Sequence, residues 1–249
     1  FGGNLSLTSL NIDEDHSGAK ATVTFNGSSA QTVVGNLTTT ADGDGIVIIN
    51  NSNGVTFNDD FGVASNGVGS LQITSGSTMN LAAIAAGTDN LTFDVVGNID
   101  SNGAGGTGGT LVIAGGNSTG SGNTGDAITL ATVTGTTKLT TLTIKGGNAS
   151  ENDVGGAVTQ TDFNGNTTVT TYNVLGGDGS TGSGATGGAG GAVATHLQTG
   201  TTTATNINLT GGAGGQGHDT ATRTGGAGGA VGSTSNTFTG LVTGALNVT

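Results

Sequence analysis

The sequence contains no cysteine, no proline and no tryptophan, and few of its residues carry charge. The absence of cysteine excludes disulfides and thiol chemistry, and it suits an exported protein that meets oxidising conditions. The absence of proline fits a chain whose backbone N–H groups are mostly committed to β-ladders. Aromatic residues make up 3% of the chain and charged residues 8%, against a usual charged share of about 25%. The composition is not that of an ordinary globular domain.

Positively charged residues are especially few. The chain has 4 Lys and Arg residues and 16 Asp and Glu residues, which gives a formal net charge of −12. So few cations cannot neutralise a phosphate backbone, which argues against nucleic acid as a partner. An anionic membrane surface is disfavoured for the same reason. No segment approaches the roughly 18 consecutive apolar residues of a membrane helix, so we expect no membrane insertion. Because neither an initiator Met nor a signal peptide is present at Phe1, we expect a fragment or a processed form.

Glycine is abundant, with 52 residues, and most other positions are Thr, Asn, Val, Ile and Leu in alternation. Such alternation is typical of β-strands. Low hydrophobicity with many glycines is also a signature of disorder, but disorder usually brings proline and charge. Since both are scarce here, the composition favours continuous β-structure.

A short apolar signature returns four times, at residues 139–144, 169–174, 204–209 and, in a worn copy, 245–248. A second signature lies between the copies, at Ala127-Ile128, Ala157-Val158, Ala192-Val193 and Ala230-Val231. The distance from that alanine to the middle apolar residue of the first signature hardly changes (142−127 = 15, 172−157 = 15, 207−192 = 15, 246−230 = 16). The other arc grows by insertions of Gly, Ser, Thr and Ala. A constant arc beside a variable corner is typical of stacked coils.

These spacings predict an all-β fold, a parallel β-solenoid with coils of about 30 residues, three short strands per coil and Gly-rich corner loops. Asn-Gly between alternating runs is also a hairpin signal, but a hairpin sandwich would not explain the repeat. We expect less regular coils in residues 1–100 and regular coils with Gly-rich insertions in 101–249, forming one continuous solenoid. The segment from Met79 to Ala86 is interpreted as a strand and corner, because it lacks helix caps.

Alternation in the first half places Val23 and Phe25 on one inward face. Similar phrases at 23–25, 55–57 and 91–93 form a series. We expect the interior to be filled by aromatic residues, namely Phe25, Phe57, Phe93, Phe163 and Tyr172. Two glycine-rich stretches, 176–191 and 211–229, occupy the same corner of consecutive coils. They are either free loops or segments stacked side by side in extended conformations.

Calcium is the one candidate cofactor, because Asp and Asn oxygens on glycine turns suit a hard cation. The candidate ligands are Asp42 with Asp44 and Asp59 with Asp60, and a further acidic run lies at 13–15. The glycine- and aspartate-rich calcium repeat of nine residues is present only as a fragment at 176–179. The alternative is that these acids are solvated corner residues.

Catalysis has little support in the sequence. The histidines His16, His196 and His218 are far apart and lack metal-ligand spacing, and no serine lies in a nucleophile elbow. Glycan cleavage needs two carboxylates across a groove, and Asp162 could face Asp153 or Asp178 on a neighbouring coil. With no Trp and one Tyr, sugar-stacking surface is almost absent. We therefore predict a protein that is not an enzyme.

Several segments resemble the β-strand repeats of bacterial surface proteins: 30–37 (AQTVVGNL), 54–58 (GVTFN), and 69–73 (GSLQI) with 79–81 (MNL). The resemblance is to autotransporter passenger domains and rickettsial outer-membrane antigens, and similar repeats occur in surface-layer and large adhesin proteins. It implies a right-handed parallel β-helix displayed outside the cell. It implies no catalytic residues.

The function we expect is that of a non-enzymatic, extracellular structural or adhesive β-solenoid at the cell surface, in a bacterial surface coat, stalk or self-assembling filament. Self-association is expected because uncapped solenoid ends expose strand edges, and a host-cell or surface glycan or protein receptor is a further candidate partner. The alternatives are a virus fibre or tail-tip receptor-binding adhesin, a glycan-degrading β-helix enzyme, and an ice-binding solenoid with Thr140, Thr170 and Thr205 in one rank.

Overall fold

The computed structural model describes residues 1–13, 19–63, 66–82, 92–93, 95–96, 98–102, 106–118, 124–130, 133, 135–150, 153–163, 165–181, 186–217, 224–232 and 236–249. Over these residues the protein is all-β and contains no helix. Accordingly, none of the described ranges holds a helix long and apolar enough to cross a membrane.

The described strands alternate buried and outward-facing side chains, as the period-2 pattern of the sequence requires. Their bounds are β1 Leu5–Ile12, β2 Thr22–Phe25, β3 Gln31–Thr39, β4 Asp44–Ile49, β5 Val55–Phe57, β6 Val68–Ile73, β7 Thr78–Ala82, β8 Ile99–Asp100, β9 Gly108–Ala114, β10 Ile128–Leu130, β11 Thr137–Lys145, β12 Val158–Phe163, β13 Thr167–Leu175, β14 Val193–Thr210 and β15 Asn236–Val248.

Every pairing between these strands is parallel, and each strand pairs with strands one coil away along the chain. The longest row runs β1-β3-β5-β7-β9-β11-β13-β14. A second row, β2-β4-β6-β8, joins it at β11, and a third contains β10, β12 and β14, with β15 on β14. The sheet is a nearly closed parallel solenoid, which confirms the predicted β-solenoid and excludes a hairpin sandwich.

The register in the second half is the one predicted from the two signatures. Leu142 pairs with Tyr172, Tyr172 with Ile207, and Ile207 with Leu246. Ile128, Val158, Val193 and Val231 form the corresponding row for the second signature. Both repeats therefore mark equivalent positions on successive coils.

The number of residues that separates two paired positions in the sequence is not uniform along the chain. Val23 pairs with Val47 (47−23 = 24) and Val47 with Leu71 (71−47 = 24) in the first half. In the second half, Leu142 and Tyr172 are 172−142 = 30 apart, and the next partner of Tyr172 is 207−172 = 35 residues on. The chain winds in short steps first and in longer steps where the glycine-rich corners lie.

The three phrases with phenylalanine in the first half are not equivalent positions. Phe25 pairs with Ile49 in the β2-β4 row, whereas Phe57 pairs with Val33 and Leu81 in the β3-β5-β7 row. Phe93 forms an isolated parallel bridge with Phe61. Because every face of the coil needs the same alternation of inward and outward residues, similar phrases recur on different faces.

Aromatic side chains do fill the interior, as expected. Phe25, Phe57, Phe93 and Tyr172 are fully buried, while the side chain of Phe163 lies outside the described part of the chain. Phe25 contacts Phe57 edge to face with 5.2 Å between ring centroids, and Phe61 joins both Phe57 and Phe93. Burial of one such side chain stabilises the fold by about 1.5–3 kcal/mol.

Glycine turns separate the strands at the corners. Gly43 and Gly54 have positive φ angles and follow Asp42 and Asn53, so these Asp-Gly and Asn-Gly phrases form left-handed turns just before β4 and β5. Within the segment from Met79 to Ala86, the part up to Ala82 lies in strand β7, which agrees with the strand interpretation. Residues 83–86 lie outside the described ranges.

Candidate functional site

The acidic residues predicted as calcium ligands lie at corners, where they accept hydrogen bonds from backbone amides. The N–H of Gly67, on the next coil, donates to Oδ1 of Asp42 at 3.0 Å. The N–H of Ala41 donates to Oδ2 of the buried Asp44 at 2.9 Å, which closes the turn that leads into β4. These carboxylates pair amides that the strand ladder leaves free at the corner.

The adjacent residues Asp59 and Asp60 each accept a hydrogen bond from a different neighbouring coil. Oδ2 of Asp59 accepts a 2.7 Å hydrogen bond from the N–H of Gly35 on the preceding coil. Oδ1 of Asp60 accepts a 2.7 Å hydrogen bond from the N–H of Thr92 on the following coil. Bonds of this length between an amide and a carboxylate are strong ones. The pair therefore joins three successive coils at one corner.

Calcium binding by these residues stays a prediction. Each of the four candidate carboxylates uses one oxygen for an amide, and across the described ranges no group of three or more His, Cys, Asp or Glu residues gathers as a metal site would. Of the third acidic run, Asp13 is exposed, and Glu14 and Asp15 lie outside the described residues. His16 and His218 also lie outside them, and His196 is placed only as a backbone position in β14.

A ladder of side-chain oxygens follows the glycine pairs on successive coils. Oδ1 of Asn117 accepts from the N–H of Asn148 at 2.8 Å, and Oδ1 of Asn148 accepts from the N–H of Asp178 at 3.0 Å. Oδ1 of Asp178 in turn accepts from the N–H of Ala213 at 2.9 Å. Asp178, which the sequence offered as a carboxylate for glycan cleavage, is thus part of coil stacking. Its suggested partner Asp162 has no described side chain.

This oxygen ladder was not predicted, although the sequence carries a signal for it. In the phrases Gly-Gly-Asn at 115–117 and 146–148 and Gly-Gly-Asp at 176–178, an oxygen-bearing residue follows each glycine pair. The fourth phrase, Gly-Gly-Ala at 211–213, ends the row. The repeat of Asn or Asp at one coil position indicates a side chain that caps an amide of the next coil.

The glycine-rich corners form a continuous hydrogen-bonded layer, here called the glycine stack. Its bonds alternate within and between coils: the N–H of Gly156 donates to Gly147 O at 2.8 Å, and the N–H of Gly177 donates to Gly156 O at 2.9 Å. The series continues from Gly191 to Gly177, from Gly212 to Gly191 and from Gly229 to Gly212, at 2.7, 2.9 and 2.8 Å. Of the two alternatives left open by the sequence, the structure shows the stacked one for the described parts of both stretches, and the free-loop alternative is wrong for them.

Close backbone packing is what requires glycine in this layer. A Cβ atom on Gly177 would overlap Gly147 O, one on Gly191 would overlap Gly156 O, and one on Gly212 would overlap Gly177 O. None of these three residues has a positive φ angle. Glycine is needed here because there is no room for a side chain, and not because the backbone is left-handed.

The outer surface of the long sheet carries a second side-chain ladder. Nδ2 of Asn173 donates to Oγ1 of Thr143 at 3.1 Å, Nδ2 of Asn208 donates to Oδ1 of Asn173 at 2.8 Å, and Nδ2 of Asn247 donates to Oδ1 of Asn208 at 2.8 Å. In Asn173 and Asn208, the oxygen accepts from the next coil while the nitrogen donates to the previous one. The ladder satisfies both ends of each internal amide.

The three threonines expected for an ice-binding face are aligned in the structure. Thr140, Thr170 and Thr205 are all exposed, and their strand neighbours pair in register on successive coils. The hydroxyl of Thr140 donates to Gly108 O at 2.9 Å. Alignment is confirmed, and the ice-binding activity itself stays a prediction.

No family model matches this chain, and searches of curated proteins and of solved structures found no match. The resemblance to bacterial surface repeats therefore stays a prediction from the quoted phrases.

Proposed function

We propose that this chain is a non-enzymatic, extracellular structural and adhesive β-solenoid, a segment of a bacterial surface coat, stalk or self-assembling filament. The observation that carries the proposal is the continuity of bonding from coil to coil. The parallel ladders, the Asn ladder on the outer face and the glycine stack at the corner all run along one axis. We take the coils, of about 30 residues on average, to be right-handed, because parallel crossover connections almost always are.

A stack of this kind is suited to a mechanical role. Each coil contacts only its neighbours, so a longer array adds stability coil by coil without a larger core. Stretching the rod would break backbone hydrogen bonds in several rows at once. Among the described residues, the long polar faces carry no aromatic groups that would form a compact, tight binding site. This favours a scaffold that presents repeated weak contacts to a surface receptor.

Self-association is supported by the state of the last described coil. Leu246 and Val248 are 54% and 55% exposed, although their partners Ile207 and Leu209 are 0% and 2% exposed on the coil before. The first coil is similar, with Phe1 and Leu7 half-exposed. Residues in the interior register gain burial when a further coil lies over them. Such a coil is supplied either by further sequence of the same protein or by a second copy placed end to end, and we propose the second copy.

The charge of the chain favours end-on growth over lateral bundling. At a formal net charge of −12, two rods side by side repel each other along their whole length. Contact at the ends involves a small area and mostly uncharged groups. The expected product is therefore a single fibre or a short rod, and not a sheet of rods.

Electron microscopy of the purified chain, with and without a calcium chelator, tests this function. We expect fibres whose axial rise is near the β-spacing of about 4.8 Å. Val248→Asp places a charge on the end coil and should prevent growth, whereas Thr205→Asp adds the same charge on the outer face and should not. Separate rods in all samples would contradict self-assembly, and a trimeric mass in solution would favour the virus-fibre alternative.

A further inference from the structure

Three threonines occupy one interior position on successive coils. Thr137 pairs with Thr167, and Thr167 pairs with Thr202. Their exposed fractions are 0%, 1% and 1%. The Oγ1 atom of each is buried and has no hydrogen-bond partner in the described structure. The same unpaired hydroxyl is therefore repeated along the axis of the solenoid.

The structure forms no direct hydrogen bond between these hydroxyls, because the Oγ1 atom of each has no partner. Paired residues in neighbouring strands are about 4.8 Å apart, and an O–H···O hydrogen bond spans about 2.5–3.0 Å. A buried hydroxyl without a partner costs free energy, which valine, with almost the same shape, would avoid. Most other interior positions along these strands are apolar, as at Leu142, Tyr172 and Ile207. Threonine repeated at this one place indicates a polar ligand.

We propose that the threonine row binds ordered buried water, with one molecule between Thr137 and Thr167 and one between Thr167 and Thr202. A water displaced by about 1.4 Å from the midpoint of two hydroxyls 4.8 Å apart lies about 2.8 Å from both. Water fits this role because it donates and accepts, and buried waters typically bridge polar groups that lack other partners.

The row has defined ends, which limits the number of waters. On one side Thr137 pairs with the buried Ile99, and on the other Thr202 pairs with Gly240. Neither neighbour carries a side-chain hydroxyl that could continue the row. The bridged segment thus spans three coils. Over these coils the sequence separation between paired threonines changes from 167−137 = 30 to 202−167 = 35 residues. We infer that the bridges keep the strands in register while the corner loops change length.

High-resolution crystallography of the wild-type chain and of Thr167→Val tests the proposal. In the wild type we expect a density peak between each pair of hydroxyls, within hydrogen-bond distance of both. Thr167→Val removes the middle hydroxyl and should remove both peaks, although Thr137 and Thr202 are unchanged. Thr170→Val, on the exposed face of the same strand, should leave both peaks in place.

Chemical unfolding supplies an independent measurement. If each hydroxyl is bridged, Thr167→Val loses those bridges and the denaturation midpoint does not rise. If the hydroxyl has no partner, the isosteric change removes a buried unpaired group and the midpoint rises. The absence of both density peaks from the wild type, or a higher midpoint for Thr167→Val relative to Thr170→Val, would overturn the proposal.

Discussion

The N–H of Gly177 donates a 2.9 Å hydrogen bond to the carbonyl oxygen of Gly156, on the preceding coil. The N–H of Gly156 in turn donates to Gly147 within its own coil. The two glycines therefore transmit bonding across the corner as well as along the axis. A segment whose composition is that of a flexible linker is here part of the hydrogen-bonded framework.

Alanine substitution should discriminate sharply between glycines at equivalent positions. Gly190→Ala would push a Cβ into Gly212 O on the next coil, whereas the Cβ of Gly228→Ala would meet Gly212 O only at 3.9 Å. We expect Gly190→Ala to lower the free energy of unfolding by about 1–3 kcal/mol, as overpacking does. Gly228→Ala should be neutral or stabilise by up to about 1 kcal/mol, because alanine restricts the unfolded chain.

Urea unfolding of the two variants measures this difference. Gly228 lies on the last described coil and Gly190 one coil before it, so the pair holds the local sequence nearly constant. Equal stability of both variants would mean that the glycine stack does not form in solution. Such a result would restore the interpretation of these stretches as free loops.

The fold of the second half could be predicted from sequence because the spacing from the alanine signature to the next apolar signature is nearly constant. The distance of 172−157 = 15 residues between Ala157 and Tyr172 recurs on the coils before and after it (142−127 = 15, 207−192 = 15), and Tyr172 pairs where that spacing predicts. In the first half, Phe25 and Phe57 occupy different rows. Their phrases look alike because inward alternation is the same on every face, so similarity alone does not identify the face.

The corner contacts were harder to predict, because they depend on which amide lies opposite a side chain one coil away. Asp59 was recognised as a corner oxygen, but its partner Gly35 is set by the 24-residue step of the first coils. The sequence alone does not predict the glycine stack, for a related reason. Glycine composition fits both a free loop and a close-packed layer, and only the register between coils decides between them.

The outer Asn ladder should be sensitive to loss of one amide nitrogen. Asn208→Asp removes the Nδ2 that donates to Asn173 and places an oxygen there instead. We expect a loss of about 1 kcal/mol in the free energy of unfolding at neutral pH. The loss should shrink as the pH falls through about 4, where a protonated carboxyl can donate again.

Thr205→Asp is the control for added charge, because it lies on the same strand and is exposed. Urea unfolding of both variants and the wild type at pH 7 and at low pH gives the comparison. If Asn208→Asp and Thr205→Asp lose the same stability at both pH values, the ladder contributes nothing beyond general charge repulsion.

Substitutions of Asp59 can distinguish its role as a hydrogen-bond acceptor for a backbone amide from a role as a calcium ligand. Asp59→Ala leaves the N–H of Gly35 without its acceptor and should cost about 1–3 kcal/mol. Asp59→Asn retains an oxygen and should restore most of that loss. The calcium hypothesis adds that a chelator lowers the thermal midpoint of the wild type and leaves Asp59→Asn unchanged. A wild-type midpoint that does not respond to the chelator contradicts calcium binding and leaves the carboxylates as caps.

Tyr172 makes the stability of the solenoid depend on alkaline pH. Its ring is fully buried, and burial raises the pKa of the Tyr172 hydroxyl well above the ordinary value of about 10. Above pH 10 the unfolded chain loses this proton while the folded chain keeps it. The unfolded state then binds fewer protons, so the free energy of unfolding falls as the pH rises. The full stabilisation is present below pH 10 and is lost progressively towards the folded-state pKa.

The chain has a single tyrosine, so phenolate absorbance reports Tyr172 alone. We expect the absorbance to appear together with loss of β-structure measured by circular dichroism, and not before it. Tyr172→Phe keeps the ring in the core and removes the titrating group, so its stability should fall less steeply above pH 10. All other residues are the same in both proteins, so the difference between the two curves is the contribution of Tyr172. Phenolate formation near pH 10 in a chain that is still folded would show that this side chain is accessible to solvent, and would contradict the burial of the Leu142–Tyr172–Ile207 row.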